Sequence, residues 1–145
     1  MQNSFSLICF IAAWIGVAYI FAKVGGWSRL SAKYSSHDLF SGSWKKWQSA
    51  RFGVIDYCNC IWIGIASEGL YLKTGPLFFF RVFHPPLCVP WSAIESIEER
   101  KYWWTWTRVL EIKFIDCRVI IMLKSDVLDE ARPFLGDKIK LLAKA

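Results

Sequence analysis

The first 22 residues of this chain contain no charged side chain, and only one acidic residue, Asp38, precedes Asp56. The first absence bears on solvent. Phe5–Ala22 has Ser6 as its only hydroxyl outside Tyr19. As a helix rising about 1.5 Å per residue it covers about 27 Å, close to the ~30 Å hydrocarbon core of a bilayer. Apolar residues surround the whole cylinder, which excludes an amphipathic core helix. The leading Met1–Ser4 carries no base, and Ala18 and Ala22 are not spaced as a small-x-small cleavage site. An uncleaved transmembrane helix is therefore expected. With no ionisable group in it, the span offers no proton relay or transport path.

Other absences narrow the function. No phosphate-cradling glycine loop, nucleophile elbow or usefully placed pair of catalytic carboxylates occurs, so no enzyme is expected. Five cysteines, Cys9, Cys58, Cys60, Cys88 and Cys117, are an odd and irregularly spaced set. They do not describe a disulfide framework and point to free thiols in a reducing compartment. Cys88 and Cys117 lack the basic surroundings of a nucleophile, although Arg118 adjoins Cys117.

The charge is unevenly placed. The chain carries a net +6. Residues 23–53 hold Lys23, Arg29, Lys33, Lys45, Lys46 and Arg51 against Asp38, a net of +5. Bases concentrated directly after an apolar span mark cytoplasmic juxtamembrane chain, so the short N-terminus is expected outside and the rest in the cytoplasm. A nucleic-acid binder would spread its basic stripe over the fold, and none is expected as a partner. The expected organisation is a transmembrane anchor over 1–26, a basic juxtamembrane linker over 27–43 that can include a short interfacial helix, and one domain over 44–145. Trp27, after Gly25-Gly26, suits the head-group layer. His37-Asp38 sits in a serine-rich stretch and reads as solvated loop.

From Trp44 onward, short aromatic and β-branched runs alternate with turn signals, the pattern of an antiparallel sheet. Strands are expected near 44–53, 57–66, 69–74, 77–83, 87–90, 94–102, 107–115 and 118–124. In Val109–Ile115, Glu111 and Lys113 should face opposite to Leu110, Ile112 and Phe114. Glu95, Glu98 and Glu99 read as the wet side of a strand. A closing helix is expected from Asp126, with Val127, Leu128, Ala131, Phe134, Leu135, Ile139 and Leu142 on its apolar face. Pro133 and Gly136 should kink or split it.

Glu68-Gly-Leu-Tyr-Leu72, Pro90-Trp-Ser-Ala-Ile-Glu-Ser-Ile97, the runs Val109–Phe114 and Val119–Leu123, and the helix from Asp126 together resemble the bacterial PH-like and GRAM-like branch of the pleckstrin-homology superfold. The likeness spans about residues 44–145. It departs from the pattern at Leu77–Leu87, which is longer and more aromatic than the usual connection. The resemblance implies an α+β fold: a β-sandwich or barrel of about seven antiparallel strands capped by a C-terminal helix, serving as a binding or scaffolding module.

Three constellations carry alternatives. Cys58-Asn59-Cys60 would put two thiols on one strand face, but zinc needs four ligands, so buried thiols are expected and no metal or cofactor. His84-Pro85-Pro86 is either a rigid crossover or a binding lip in which His84 offers a titratable contact. The run from Arg100 and Lys101 through Trp103, Trp104 and Trp106 is either core or a protruding hairpin suited to a membrane or partner. The candidate lipid- or partner-binding residues are thus Lys23, Trp27, Arg29, Lys33, Lys45, Lys46, Arg51, His84, Arg100, Lys101, Trp103, Trp104 and Trp106. They imply a non-enzymatic, single-pass inner-membrane protein whose cytoplasmic domain binds anionic lipid head groups or a partner protein. The alternative is a structural subunit of a larger membrane assembly, with Ala12, Ala13, Gly16 and Ala18 as a packing face of the span.

Overall fold

A computed structural model describes residues 2–37, 40–75, 82–100, 109–115, 120–124, 129–136 and 139–140. Helix α1 (Gln2–Val24) contains the apolar run, and Asn3–Val24 is long and apolar enough to cross a membrane. Only 11% of its apolar window is buried, unlike the core helix of a soluble fold. Gly25 and Gly26 end it, with Gly26 in a left-handed conformation (φ 85°) that allows an abrupt turn into α2 (Trp27–Tyr34).

Helix α2 falls inside the expected juxtamembrane linker, yet it belongs to the core. Trp27 and Leu30, three apart and so on one face, are fully buried, while Arg29 and Lys33 are exposed. The expectation that Trp27 lies among head groups is therefore corrected. The indole packs 4.7 Å from the Phe52 ring and 5.9 Å from that of Tyr57, and its Nε1–H donates to the Pro85 carbonyl at 3.1 Å. That acceptor offsets the cost of taking the indole N–H out of water.

The sheet consists of two antiparallel meanders. The first joins β1 (Lys45–Phe52), β2 (Ile55–Ile65), β3 (Gly69–Thr74) and β4 (Leu87–Pro90). The second joins β5 (Ile94–Arg100), β6 (Val109–Phe114) and β7 (Ile120–Lys124). They meet where Arg51 and Phe52 of β1 pair with Met122 and Ile121 of β7. A two-residue β8 (Ile139–Lys140) lies parallel to β5. The order β4-β3-β2-β1-β7-β6-β5-β8 is open between β4 and β8 among the described residues, so of the expected sandwich or barrel the closed-barrel form is not made there. Of the expected strand 77–83, residues 77–81 lie outside the described residues, and Val82 and Phe83 are turn.

Local chemistry explains the joints. Gly53 (φ 59°) opens the two-residue turn between β1 and β2, a conformation that hairpin turns demand and glycine supplies cheaply. Gly69 pairs with Pro90, and a Cβ on it would come 2.3 Å from the Val89 carbonyl oxygen, so any side chain would push β4 away. After Pro90, Trp91–Ala93 form one 3-10 turn, and the Trp91 Nε1–H donates to the Ala66 carbonyl at 2.8 Å.

The C-terminal region differs from expectation. Among the described residues, a 3-10 turn over 129–131 leads into an α-helix at Arg132–Leu135 (α3), which ends at Gly136 (φ 51°). Ile139 joins a strand instead of a helical apolar face, while Val127, Leu128 and Leu142 lie outside the described residues. Pro133 at the helix start and left-handed Gly136 at its end bracket a single turn. Leu135 is buried, and Phe134 stacks on Trp91 with centroids 5.9 Å apart.

Candidate functional site

The junction between α1 and the sheet is the best-built feature near the expected site. A Cβ on Gly25 would meet the Ile55 side chain at 3.2 Å, and one on Gly53 would meet the Gly25 carbonyl oxygen at 3.3 Å. The β1–β2 turn therefore abuts the end of α1, and Ala22 joins the domain core. The end of α1 and the sheet meet as packed surfaces, with α2 between them.

Beneath this junction, His84 is 2% exposed and within 2.8 Å of the Tyr57 hydroxyl through Nε2, with the Trp27 ring centroid 5.2 Å from its own. The reading of His84 as an accessible lip contact is thus corrected; its polar edge is spent inside the fold. The rigid-crossover reading fits instead, since Pro85 accepts from Trp27 and Pro86 from the Ser36 N–H at 2.9 Å. Burial raises the Tyr57 phenol above its ordinary range, with the nearby Cys60 thiol adding to the shift.

The expected bases divide into two groups. Lys23, Arg29, Lys33 and Lys46 are exposed. Arg51 instead forms a two-pronged bond to Asp56, Nε to Oδ1 at 2.6 Å and Nη2 to Oδ2 at 2.7 Å, and Lys45 pairs with Glu130 at 3.3 Å. Both pairs are partly exposed, so Lys45 and Arg51 lie at the surface with a carboxylate beside each. The Arg51 hydrogen bond holds the Asp56 carboxyl below its ordinary value. Arg100 ends β5; Lys101, Trp103, Trp104 and Trp106 lie outside the described residues.

Sequence reasoning missed an aromatic and lysine cluster on β1, β2 and β3. Trp62 pairs across strands with Lys73, whose Nζ lies 4.8 Å from the Trp62 ring centroid and 4.2 Å from that of Trp44. Lys46 Nζ lies 4.8 Å over Trp62, and Trp47 meets the same ring edge-on at 5.8 Å. Trp47 adopts a left-handed φ of 57° within an irregular stretch of the β1–β2 ladder. The Trp62 Nε1–H is buried beside Gly75 and has no protein acceptor among the described residues. Strand parity alone could not reveal this group, because the bulge shifts the register of β1 against β2.

The same ladder separates the two thiols expected on one face. Asn59 takes a left-handed φ of 52°, its backbone N–H donates to Ser49 Oγ at 2.9 Å, and the alternation resets. Cys58 is exposed while Cys60 is 1% exposed. Burial, together with the neighbouring Cys58, pushes the Cys60 thiol up to about 11. Among the described residues, no group of three or more His, Cys, Asp or Glu is placed to hold a metal ion.

On the second meander, Ile112 and Phe114 are buried as expected, but Glu111 is 5% exposed and Glu99 8%. The wet-face reading of Glu99 is corrected, and Glu111 is buried although its neighbour Ile112 is buried too. The irregularity between Ile94 and Ser96 changes which β5 side chains turn inward, and Lys113 Nζ lies 3.7 Å from both Glu98 and Glu111. Comparison with protein-family models, with curated proteins and with solved structures finds no match to this chain.

Proposed function

We propose that this chain is a single-pass inner-membrane protein whose PH-like cytoplasmic domain binds anionic lipid head groups or a partner protein. The carrying observation is the junction: the apolar span runs into exposed Lys23, and one turn on, α2 turns its bases outward while Trp27 and Leu30 lock it to the sheet. Arg29 and Lys33, four apart, share the exposed side of that helix. Each base near an anionic leaflet contributes ~1 kcal/mol, so three together favour such a surface by roughly a hundredfold. The order of two antiparallel meanders followed by a short helix supports the PH-like reading. The excess of bases after the span supports a cytoplasmic domain.

The full chain is the material for a test, because cutting at the end of α2 would remove Trp27 and Leu30 from the core. Reconstituted with traces of dansyl-labelled lipid, the protein should transfer tryptophan excitation better to anionic than to zwitterionic dansyl lipid at low salt. High salt, or the K23Q/R29Q/K33Q variant, should abolish the preference. Equal transfer to both lipids at low salt would sink the head-group reading and leave the partner protein. The assembly reading keeps one support: a Cβ on Gly16 would meet nothing within 4 Å, so this flank of the span is open to a neighbouring helix. A stoichiometric crosslinked neighbour in native membranes would favour it.

A further inference from the structure

The connection between β3 and β4 is described from Val82 onward. Its described end returns along α1. The Phe83 ring lies edge-on to Tyr19 with centroids 5.4 Å apart. Val82 and Phe83 form one wall of a groove of about 440 Å³ whose other wall is α1, from Phe10 through Trp14 to Ala18. Every side chain lining it is apolar. Val82 is 75% exposed, although it stands two residues from the buried His84.

Depth decides what can fill this groove. Phe10 and Ala18 precede the end of α1 at Val24 by about 21 and about 9 Å at the helical rise. If α1 spans the bilayer, both walls stand well inside a hydrocarbon core ~30 Å thick. The chain enters that slab at a definite place: Pro85 is tied to Trp27 below the span, His84 is buried, and Phe83 then meets Tyr19. Val82 stands at the open side of the same groove. In hydrocarbon, it is a side chain in its preferred solvent.

We infer that Val82-Phe83 is a second membrane-inserted element of this protein and that phospholipid acyl chains fill the groove between it and α1. The inference rests on the reading of α1 as a transmembrane span. A helix from a second copy fits poorly: about 12 Å of a rod 10 Å across occupies about 900 Å³, twice the groove. A flexible acyl chain conforms to it. The domain is thereby held at two points, through the α1–α2 junction and through the β3–β4 connection, which fixes its rotation about the membrane normal as well as its distance from the surface.

The test places the photocrosslinker p-benzoylphenylalanine at position 82, at Ala13 in α1, and at the exposed Glu95 on β5, each in the full chain reconstituted in phosphatidylcholine and phosphatidylglycerol vesicles. After irradiation, mass spectrometry reads adducts. Phospholipid adducts are expected at 13 and 82 in similar yield, and at 95 about tenfold lower or less, because only a lipid-facing side chain has hydrocarbon as its neighbour. Adducts at 13 without adducts at 82 overturn the inference and leave the span intact. No adduct at 13 overturns the span reading itself. A protein dimer adduct at 82 overturns the acyl-chain occupant. A nitroxide on Val82→Cys, with Cys9, Cys58, Cys88 and Cys117 replaced by alanine and Cys60 left buried, reads depth independently. Oxygen should relax it faster than a water-soluble nickel chelate does, and equal access for the chelate at 82 and at a labelled Glu95→Cys would overturn the inference.

Discussion

Two sets of tryptophans sit on opposite terms with water. Trp27 is wholly buried, with its N–H bonded to Pro85 and its ring against Phe52. Trp44, Trp47 and Trp62 lie partly exposed on the sheet, with lysine ammonium groups as close as 4.2 Å to their rings. The chain position of Trp27, just after the apolar run, favours the membrane interface. What separates them is the supply of acceptors and apolar partners. The crossover at Pro85 brings a carbonyl to Trp27, whereas the Trp62 N–H has no protein acceptor among the described residues.

The comparison breaks most sharply at Trp27. Trp27→Ala should cost about 3–5 kcal/mol, measured by denaturant unfolding of the full chain in micelles, since it empties the centre of the core. Trp47→Gly should cost far less. It releases about 1–2 kcal/mol of left-handed backbone strain, against about 0.5–1.5 kcal/mol for the lost edge contact with Trp62. Equal costs would mean that the inside and outside tryptophans are not distinct.

Tyr57→Phe is expected to destabilise by about 1–3 kcal/mol in the same assay, because it takes a buried hydrogen-bond partner from His84. A neutral effect would show that the packing of Trp27, and not the polar contact beneath it, holds the junction. Lys73→Ala should cost only about 0.5–1 kcal/mol, the value of an ammonium over exposed rings. Added salt should leave most of that contribution in place if the aromatic contact, and not surface charge, is its source.

The smallest effect is a pH dependence. Arg51 lowers the Asp56 pKa in the folded state from its ordinary 3.8, so the pair contributes fully above that value and is lost as pH falls through the lowered one. With the two side chains 38% and 55% exposed, solvent screening limits the contribution to about 0.2–1 kcal/mol. Asp56→Asn should therefore lower stability slightly at neutral pH and converge with the parent in acid. A difference that persists below the titration would assign the effect to packing instead.

Much of the fold was legible because it rests on local periodicity. The apolar run became α1, and β3 and β4 matched their expected bounds. Ile112 and Phe114 faced inward as their alternation requires. Failures cluster where one residue changes the period. Asn59 and Trp47, both in left-handed conformations, reset the alternation of β2 and β1, which separated Cys58 from Cys60 and assembled the tryptophan cluster. Pro133 and Gly136 confined α3 to one turn, so Ile139 was free to join β5.

The candidate site was less legible than the fold. Its bases were visible as a composition bias, but the pairing of Arg51 with Asp56 and of Lys45 with Glu130 was not, because strand pairing and folding bring those partners close. The sequence by itself determined a long uncharged helix, the excess of positive charge after it and a sheet of short strands, because those properties are additive along the chain. Tertiary structure alone decided that Trp27 and His84 lie inside and that α2 is core instead of linker. It also set Val82-Phe83 beside the middle of α1. Each of these depends on which distant residue supplies the acceptor, the ring or the apolar wall, and only packing in three dimensions selects that neighbour.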